Sequence, residues 1–324
     1  MQLFVTGVSG YLGGLVLKAL EGNPVVGKIV GIDVAEPHVS TPKLEFHRLD
    51  VRDPAVRDVM KGSDAALHMA FILNEIRDKQ KTHDININGS KNVYHACLDT
   101  GVPWIIQLSS MAAFGPHPDN PVPLRETDYP RGAPDCYYCY GKAELEHYLG
   151  WLALRHPELE TTVVRPTVII GDSLDNTVAW LFRGRFAALA KGHDSLAQFV
   201  HEDDLARAIV IILERRAKGV FHVTSDDYIS ISEMMKRAGM IAPSIPENVL
   251  ERVADLSFAM GTSPVSSHWV RMFAHSMVGS SERLKELGWK PAYTSVELFE
   301  KYVVARKKCL TPARAYSDSS TFLK

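Results

Sequence analysis

The chain has 324 residues, with 36 Lys or Arg against 38 Asp or Glu, a formal charge of −2 and 46% hydrophobic residues. That length can bury a sizeable core. The near-neutral balance argues against a nucleic-acid surface, and the apolar content argues against a charge-rich disordered chain.

In chain order, short apolar runs bounded by Gly, Pro, Asp or Ser predict strands at Gln2–Thr6, Lys28–Asp33, Leu44–Arg48, Ala65–His68, Trp104–Leu108 and Thr162–Arg165. Helices are predicted between them at Tyr11–Glu21, Asp53–Lys61, Lys81–Thr100 and Tyr137–Arg155. Alternation of this kind implies right-handed βαβ crossovers and an α/β fold, a Rossmann-type doubly wound parallel sheet. Beyond Arg165 the pattern changes. Residues 171–191 read as an insertion, a loop followed by a helix around Thr177–Ala190. A short strand at Phe199–Val200, a helix from Asp203 to Arg215 and a strand at Gly219–Thr224 return to the sheet. Residues 230–310 read as mostly helical, broken by Pro243, Pro246, Pro264 and Pro291, and the polar tail 311–324 as poorly ordered. The domains are therefore expected to interleave. A dinucleotide domain takes 1–170 and recovers segments at 197–224, and a smaller, mostly helical substrate lobe takes 171–196 and 225–310.

The apolar N-terminus lacks a basic leader segment and carries Gly7, Gly10, Gly13 and Gly14, so it is not read as a signal peptide. The longest later apolar stretch, Ala208 to Leu213, is far below the ~18 residues of a membrane span. A cytoplasmic, non-membrane protein is expected. Four cysteines are too few for a disulfide scaffold. Cys136 and Cys139 form a C-x-x-C without a second pair, and the thirteen histidines show no ligand spacing, so no metal is expected.

The strongest local signal is Thr6-Gly7-Val8-Ser9-Gly10-Tyr11-Leu12-Gly13, between a strand and a helix. Gly7 permits the tight turn, Gly10 lets the backbone approach a pyrophosphate, and Gly13 lets the helix pack close to the sheet. The helix N-terminus offers free N–H groups to phosphate. Asp33, at the end of the second strand, lies where a carboxylate bonds ribose hydroxyls and repels a 2′-phosphate, which favours NAD over NADP.

Further motifs follow in order: Leu49-Asp50-Val51, Leu67-His68-Met69-Ala70, Asn86-Ile87-Asn88-Gly89-Ser90, Ser109-Ser110 before Phe114-Gly115, and Tyr138-x-x-x-Lys142. Arg165-Pro166 with Gly171, Phe199-Val200-His201 with Asp203-Asp204-Leu205, and Leu287-Gly288-Trp289-x-Pro291 complete the series. Together they resemble the extended short-chain dehydrogenase/reductases, the NAD-dependent epimerase/dehydratase family, from Thr6 to about Pro291. The resemblance implies a catalytic set of Ser110, Tyr138 and Lys142. Ser110 would orient the substrate oxygen, with its neighbour Ser109 as the alternative. Tyr138 would act as general acid/base, and Lys142 would bond the nicotinamide ribose. It further implies cofactor contacts from Gly7, Ser9, Gly10, Tyr11, Leu12, Gly13, Asp33, Asp50, Val51, Met69, Ala70, Phe71, Asn86 and Thr167, besides Tyr138 and Lys142. Asn86 reads alternatively as a residue that caps or kinks its helix.

The physical reading agrees with this set. Tyr138 and Lys142 share one helix face. Holding a phenol half ionised at neutral pH takes roughly 4 kcal/mol, which a nearby ammonium and a cationic nicotinamide could supply. Relatives commonly dimerise through the helices matching 81–100 and 137–155, which implies a homodimer. Val93, Cys97, Leu145, Leu149 and Leu152 read either as that face or as sheet packing.

Departures from the family pattern bear on the reaction. Met111-Ala112 stands where sugar dehydratases carry an Asp-Glu pair, and Val168 and Ala197 stand where nucleotide-sugar epimerases carry Asn and Arg. Arg183, Arg185 and Lys191 lie in the insertion and could meet an anion or form a solvated face. The first expectation is an NAD-dependent oxidation or reduction of a small-molecule secondary alcohol or carbonyl. The alternatives are a nucleotide-sugar 4-epimerase with bound NAD, and a non-catalytic NAD sensor.

Overall fold

The computed structural model describes residues 1–73, 78–171, 182, 185–263 and 266–304. Seven parallel strands form the main sheet in the order β11-β6-β5-β4-β1-β2-β3: β1 Gln2–Thr6, β2 Lys28–Asp33, β3 Leu44–Arg48, β4 Ala65–His68, β5 Trp104–Leu108, β6 Glu160–Pro166 and β11 Gly219–Val223. Strand order reverses between β1 and β4, which pair from Leu3 opposite Ala65 to Thr6 opposite His68. Ligands of open α/β sheets bind at the carboxyl ends of the strands flanking such a switch point.

Side-chain alternation along β1 builds a core on each face of the sheet. Leu3 and Val5 pack with Val16, Leu17 and Leu20 of α1 (Tyr11–Glu21) and with Ile209 and Ile212 of α6 (Glu202–Arg215). Phe4 joins Val30, Ile105, Val93, Leu145 and Leu149 on the other side. There α2 (Val56–Met60), α4 (Gly89–Thr100) and α5 (Tyr137–Arg155) cover the sheet. Val93, Cys97, Leu145, Leu149 and Leu152 are all buried in this layer, so they serve sheet packing and offer no free face to a partner.

Three expectations need correction. The helix foreseen over 53–61 is only α2, because Pro54 and the Asp53 carboxylate, which accepts from Ala55 N at 2.8 Å, hold the preceding residues in turns. The helix foreseen over 81–100 is broken into α3 (Lys79–His83), a π-helical turn Asp84–Asn88, and α4. Gly89 is required at that break, because a Cβ there would lie 2.6 Å from the Val51 side chain. Leu189–Ala190, foreseen as the end of a helix, is strand β8, since Ala187, Leu189 and Lys191 donate to the backbone of Ile241, Pro243 and Ile245. The rest of that foreseen helix lies largely outside the described residues, as do Arg183 and the tail 311–324.

Short strand pairs lie outside the main sheet. β7 (Val168–Ile170) runs beside β10 (Phe199–His201), β9 (Leu196–Ala197) beside β12 (Ile229–Ser230), and β8 beside β13 (Ser244–Ile245). The helices α7 (Ile231–Arg237), α8 (Glu247–Ala259), α9 (Ser267–Ala274), α10 (Glu282–Glu286) and α11 (Ser295–Leu298) follow. A separate core of Ile170, Phe182, Phe199, Met234, Leu298 and Phe299 holds this region. No helix among the described residues is long and apolar enough to cross a membrane.

Candidate active site

The turn from β1 into α1 takes its shape from two glycines. Gly7 has φ +77°, and a Cβ on it would sit 2.9 Å from Ala70 N. A Cβ on Gly13 would sit 2.3 Å from Gly7 O, so helix and turn can touch only because that position is bare. Gly10 caps α1 without any side-chain bond, and the first turn holds no acidic residue, which leaves the N–H groups and the positive dipole end for an anion. Asp33, at the end of β2, faces the turn: its carboxylate accepts from Ser9 N at 3.1 Å and Ala35 N at 3.3 Å.

The wall beyond β4 is tied down by buried polar groups. Thr6 Oγ1 accepts from Met69 N (3.2 Å) and Ala70 N (3.1 Å), and pairs with His68 Nδ1 at 2.7 Å. The other ring nitrogen of His68 meets Ser90 Oγ at 2.7 Å. Burial pushes this histidine down to about 3, so it serves as a neutral hydrogen-bonding spacer. Asn86 clamps the next residues: its Oδ1 accepts from Ile72 N at 2.7 Å, while its Nδ2 donates to Ile72 O at 3.0 Å and Tyr137 Oη at 3.1 Å. The π-helical turn gives Asn86 this reach, a use typical of such bulges.

Ser110 caps the turn Met111–Phe114 by accepting from Ala112 N at 3.1 Å, and its hydroxyl is near enough to the Tyr138 phenol to favour the ionised form. Ser109 points elsewhere: its hydroxyl donates to buried Glu146. One turn along α5 from Tyr138, Lys142 Nζ donates to Leu108 O at 3.0 Å and stands 3.9 Å from the Phe71 ring centre. Burial pushes Tyr138 up to about 12, offset in part by the Ser110 hydroxyl. Burial also pushes Lys142 down to about 7, with Glu146 pulling it back up. The protein interior therefore favours both neutral forms, which weakens the ammonium half of the expected pair of charges, ammonium and cationic nicotinamide. Base catalysis needs added positive charge beside Tyr138.

These groups line one cavity of about 400 Å³. Gly7, Gly10, Tyr11, Leu12, Gly13, Met69 and Phe71 line it beside the glycine turn, together with Ser110, Tyr138, Lys142 and Thr167. Val168, Leu196, Ala197, Ile231, Trp269 and Phe273 line it further on, with Ser195, Gln198 and His275 as the polar groups among them. Ser9, Asp33, Ala70 and Asn86 are not among the residues that line it. Val51 is buried against the core, and Asp50 is bound to Arg52, which lowers its carboxyl. Sequence reasoning missed Glu146, Gln198 and His275. Glu146 lies four residues after Lys142 on the same helix face, a signal that spacing offered. Gln198 and His275 reach the cavity only through tertiary contacts. No group of three His, Cys, Asp or Glu suited to a metal occurs among the described residues. Cys136 and Cys139 are buried, with sulfurs 2.6 Å apart at the start of α5.

A doubly wound sheet with a glycine cradle at its switch point, opening on a Ser-Tyr-Lys set, defines a dinucleotide-binding protein of oxidoreductase type. Residues 3–224 match the model of the NAD dependent epimerase/dehydratase family, and the chain belongs to that family, whose cofactor is NAD. An uncharacterised protein of Mycobacterium tuberculosis is 25% identical over 320 residues, covering 96% of this chain and 85% of its own length. Sterol demethylase protein B of Methylococcus capsulatus is 25% identical over 319 residues, covering 91% and 95%. The UDP-glucose 4-epimerase of Thermus thermophilus, solved with NAD, has the same fold, with a TM-score of 0.70 at 20% identity over 95% of this chain and 99% of that one.

Proposed function

We infer that the protein is an NAD-dependent dehydrogenase, or in reverse a carbonyl reductase, of an apolar secondary alcohol. The observation that carries this reading is the cavity in which Tyr138, Ser110 and Lys142 stand with a dinucleotide cradle and a mostly apolar wall.

The cradle residues fit the cofactor. Gly7, Gly10 and Gly13 would admit the pyrophosphate to the start of α1, and Asp33 would take the adenosine ribose hydroxyls. Met69, Ala70 and Phe71, fixed by Thr6 and Asn86, would form the wall along it, with Lys142 and Thr167 toward the nicotinamide. Bound NAD supplies the hydride acceptor and a positive charge. Ser110 holds the substrate oxygen. Tyr138 takes the hydroxyl proton as the carbinol hydride leaves, giving ketone, NADH and a neutral phenol, and returns the proton in the reverse direction. Excluding water strengthens each of these polar contacts.

The 4-epimerase reading shares Tyr138 and the cofactor, but Val168 and Ala197 line the cavity where it needs groups to hold a diphosphate. Dehydration lacks its acid and base at Met111-Ala112. Net NADH formation from secondary alcohols tests the dehydrogenase against the epimerase. Tyr138→Phe tests either enzyme against a sensor. Turnover should fall by roughly two to four orders of magnitude while NAD affinity is retained, and unchanged turnover would remove Tyr138 from the chemistry.

A further inference from the structure

A second cavity, of about 250 Å³, lies in the substrate region and is not used by the chemistry above. It is not a separate site. Ile231, Trp269 and Phe273 line both cavities, so the two meet at a shared wall. Trp269 and Phe273 are neighbours on α9, their rings stacked with centres 6.2 Å apart. Beyond them Phe182, Met235 and Ala254 give an apolar lining. At the mouth stand Phe186 and Val253, 71% and 58% exposed. Among the described residues, no Asp, Glu, Lys or Arg lines this second cavity, and His193 is its one ionisable wall residue.

We propose that the substrate is elongate and apolar, with its alcohol carbon at Tyr138 and its distal hydrocarbon chain passing the Trp269–Phe273 pair into the second cavity. This rests on the dehydrogenase reading for the placement of the reacting end. The argument is one of continuity and solvation. A cavity walled by hydrocarbon offers water too few partners, and an apolar group entering it leaves water with nothing left unsatisfied. A polar or phosphorylated extension would strand its charges there. The two cavities meet at one wall of side chains, so a ligand chain that turns the Trp269 and Phe273 rings aside reaches from the first into the second, and each methylene that enters strengthens binding.

The test uses the full chain saturated with NAD and a series from 2-butanol to 2-decanol. Affinity is measured by titration calorimetry and turnover by NADH absorbance. Affinity should rise roughly three- to fourfold per methylene, on the order of 100-fold from 2-hexanol to 2-decanol. Val253→Glu, at an exposed position on the mouth, should abolish most of the gain in the upper half of the series. Val249→Glu, one turn away on α8 and outside the cavity wall, should leave the decanol-to-butanol ratio as it is. The ratio is insensitive to a general folding defect. A flat series, or equal losses at all chain lengths in Val253→Glu, overturns the second-cavity proposal even if NADH forms. A length-dependent affinity that Val253→Glu removes supports it even if no alcohol is oxidised, and that outcome sinks the dehydrogenase reading alone.

Discussion

At the scale of single residues, the site turns on two groups that burial drives toward neutrality. Lys142 is 4% exposed, and its ammonium is held down to about 7 against an ordinary value of about 10.5. Between those two values the unfolded chain binds more protons than the folded one, so stability rises with pH across that window. Below pH 7 the full cost of the buried charge is present. Replacing the charge with hydrocarbon should therefore stabilise the cofactor-free protein most on the acid side. Lys142→Met should gain on the order of 3–5 kcal/mol at pH 6, the gain shrinking as pH climbs from 7 toward 10.5, while catalysis is lost. Urea titrations at several pH values read this directly, and a pH-independent difference would place the lysine in a more polar setting. Ser109 and Ser110 show how much one position matters. The chain places one hydroxyl on Glu146 and the other near Tyr138.

At the scale of elements, the strand–turn–helix unit of β1 and α1 is both scaffold and cradle. In an ordinary helix, Gly→Ala helps by about 1 kcal/mol. At Gly13 a methyl would lie 2.3 Å from Gly7 O and 2.6 Å from the Val8 carbonyl carbon, and neither backbone group is free to yield. Overpacking should prevail. Gly13→Ala is expected to destabilise by about 1–3 kcal/mol and to weaken NAD binding at least tenfold, as measured by thermal melts and cofactor titration. A stabilised variant with unchanged affinity would mean that the turn is looser than this packing requires. The π-helical turn Asp84–Asn88 belongs to the same scale. It interrupts a foreseen continuous helix and brings the Asn86 amide to Ile72, trading regular helix bonds for a clamp on the segment after β4.

At the scale of the whole molecule, one buried ion pair ties the sheet to α5. Arg165 of β6 and Glu146 of α5 are 3% and 5% exposed. Arg165 Nε lies 3.0 and 3.1 Å from the two carboxylate oxygens, Ser109 donates to the same carboxylate, and His222 of β11 faces Arg165 at 3.3 Å. Burial and the nearby guanidinium push His222 down to about 3, so the cluster holds one net ion pair rather than excess positive charge. Breaking it should leave Arg165 uncompensated. Glu146→Gln is expected to lose about 3–5 kcal/mol of stability, whereas the double change Glu146→Met with Arg165→Met should recover most of that loss. Equal losses in the two proteins would assign the effect to packing instead.

The sequence alone determined the six strands β1 to β6 to within two residues, α1 and α5 to their ends, the glycine cradle, and the family. These are features whose physics is local: alternation, turn glycines, helix spacing and short motifs. Only the tertiary structure decided the rest. It broke the helix before Gly89 against Val51, and turned Leu189–Ala190 into a strand because residues 241–245 supplied a backbone partner. It also buried Val93, Cys97, Leu145, Leu149 and Leu152 of α4 and α5 against the sheet. It brought Glu146 to Ser109 and Arg165, and it set two apolar cavities against one shared wall. Those outcomes depend on contacts between residues distant in the chain, and no short window of sequence carries the energy of such contacts.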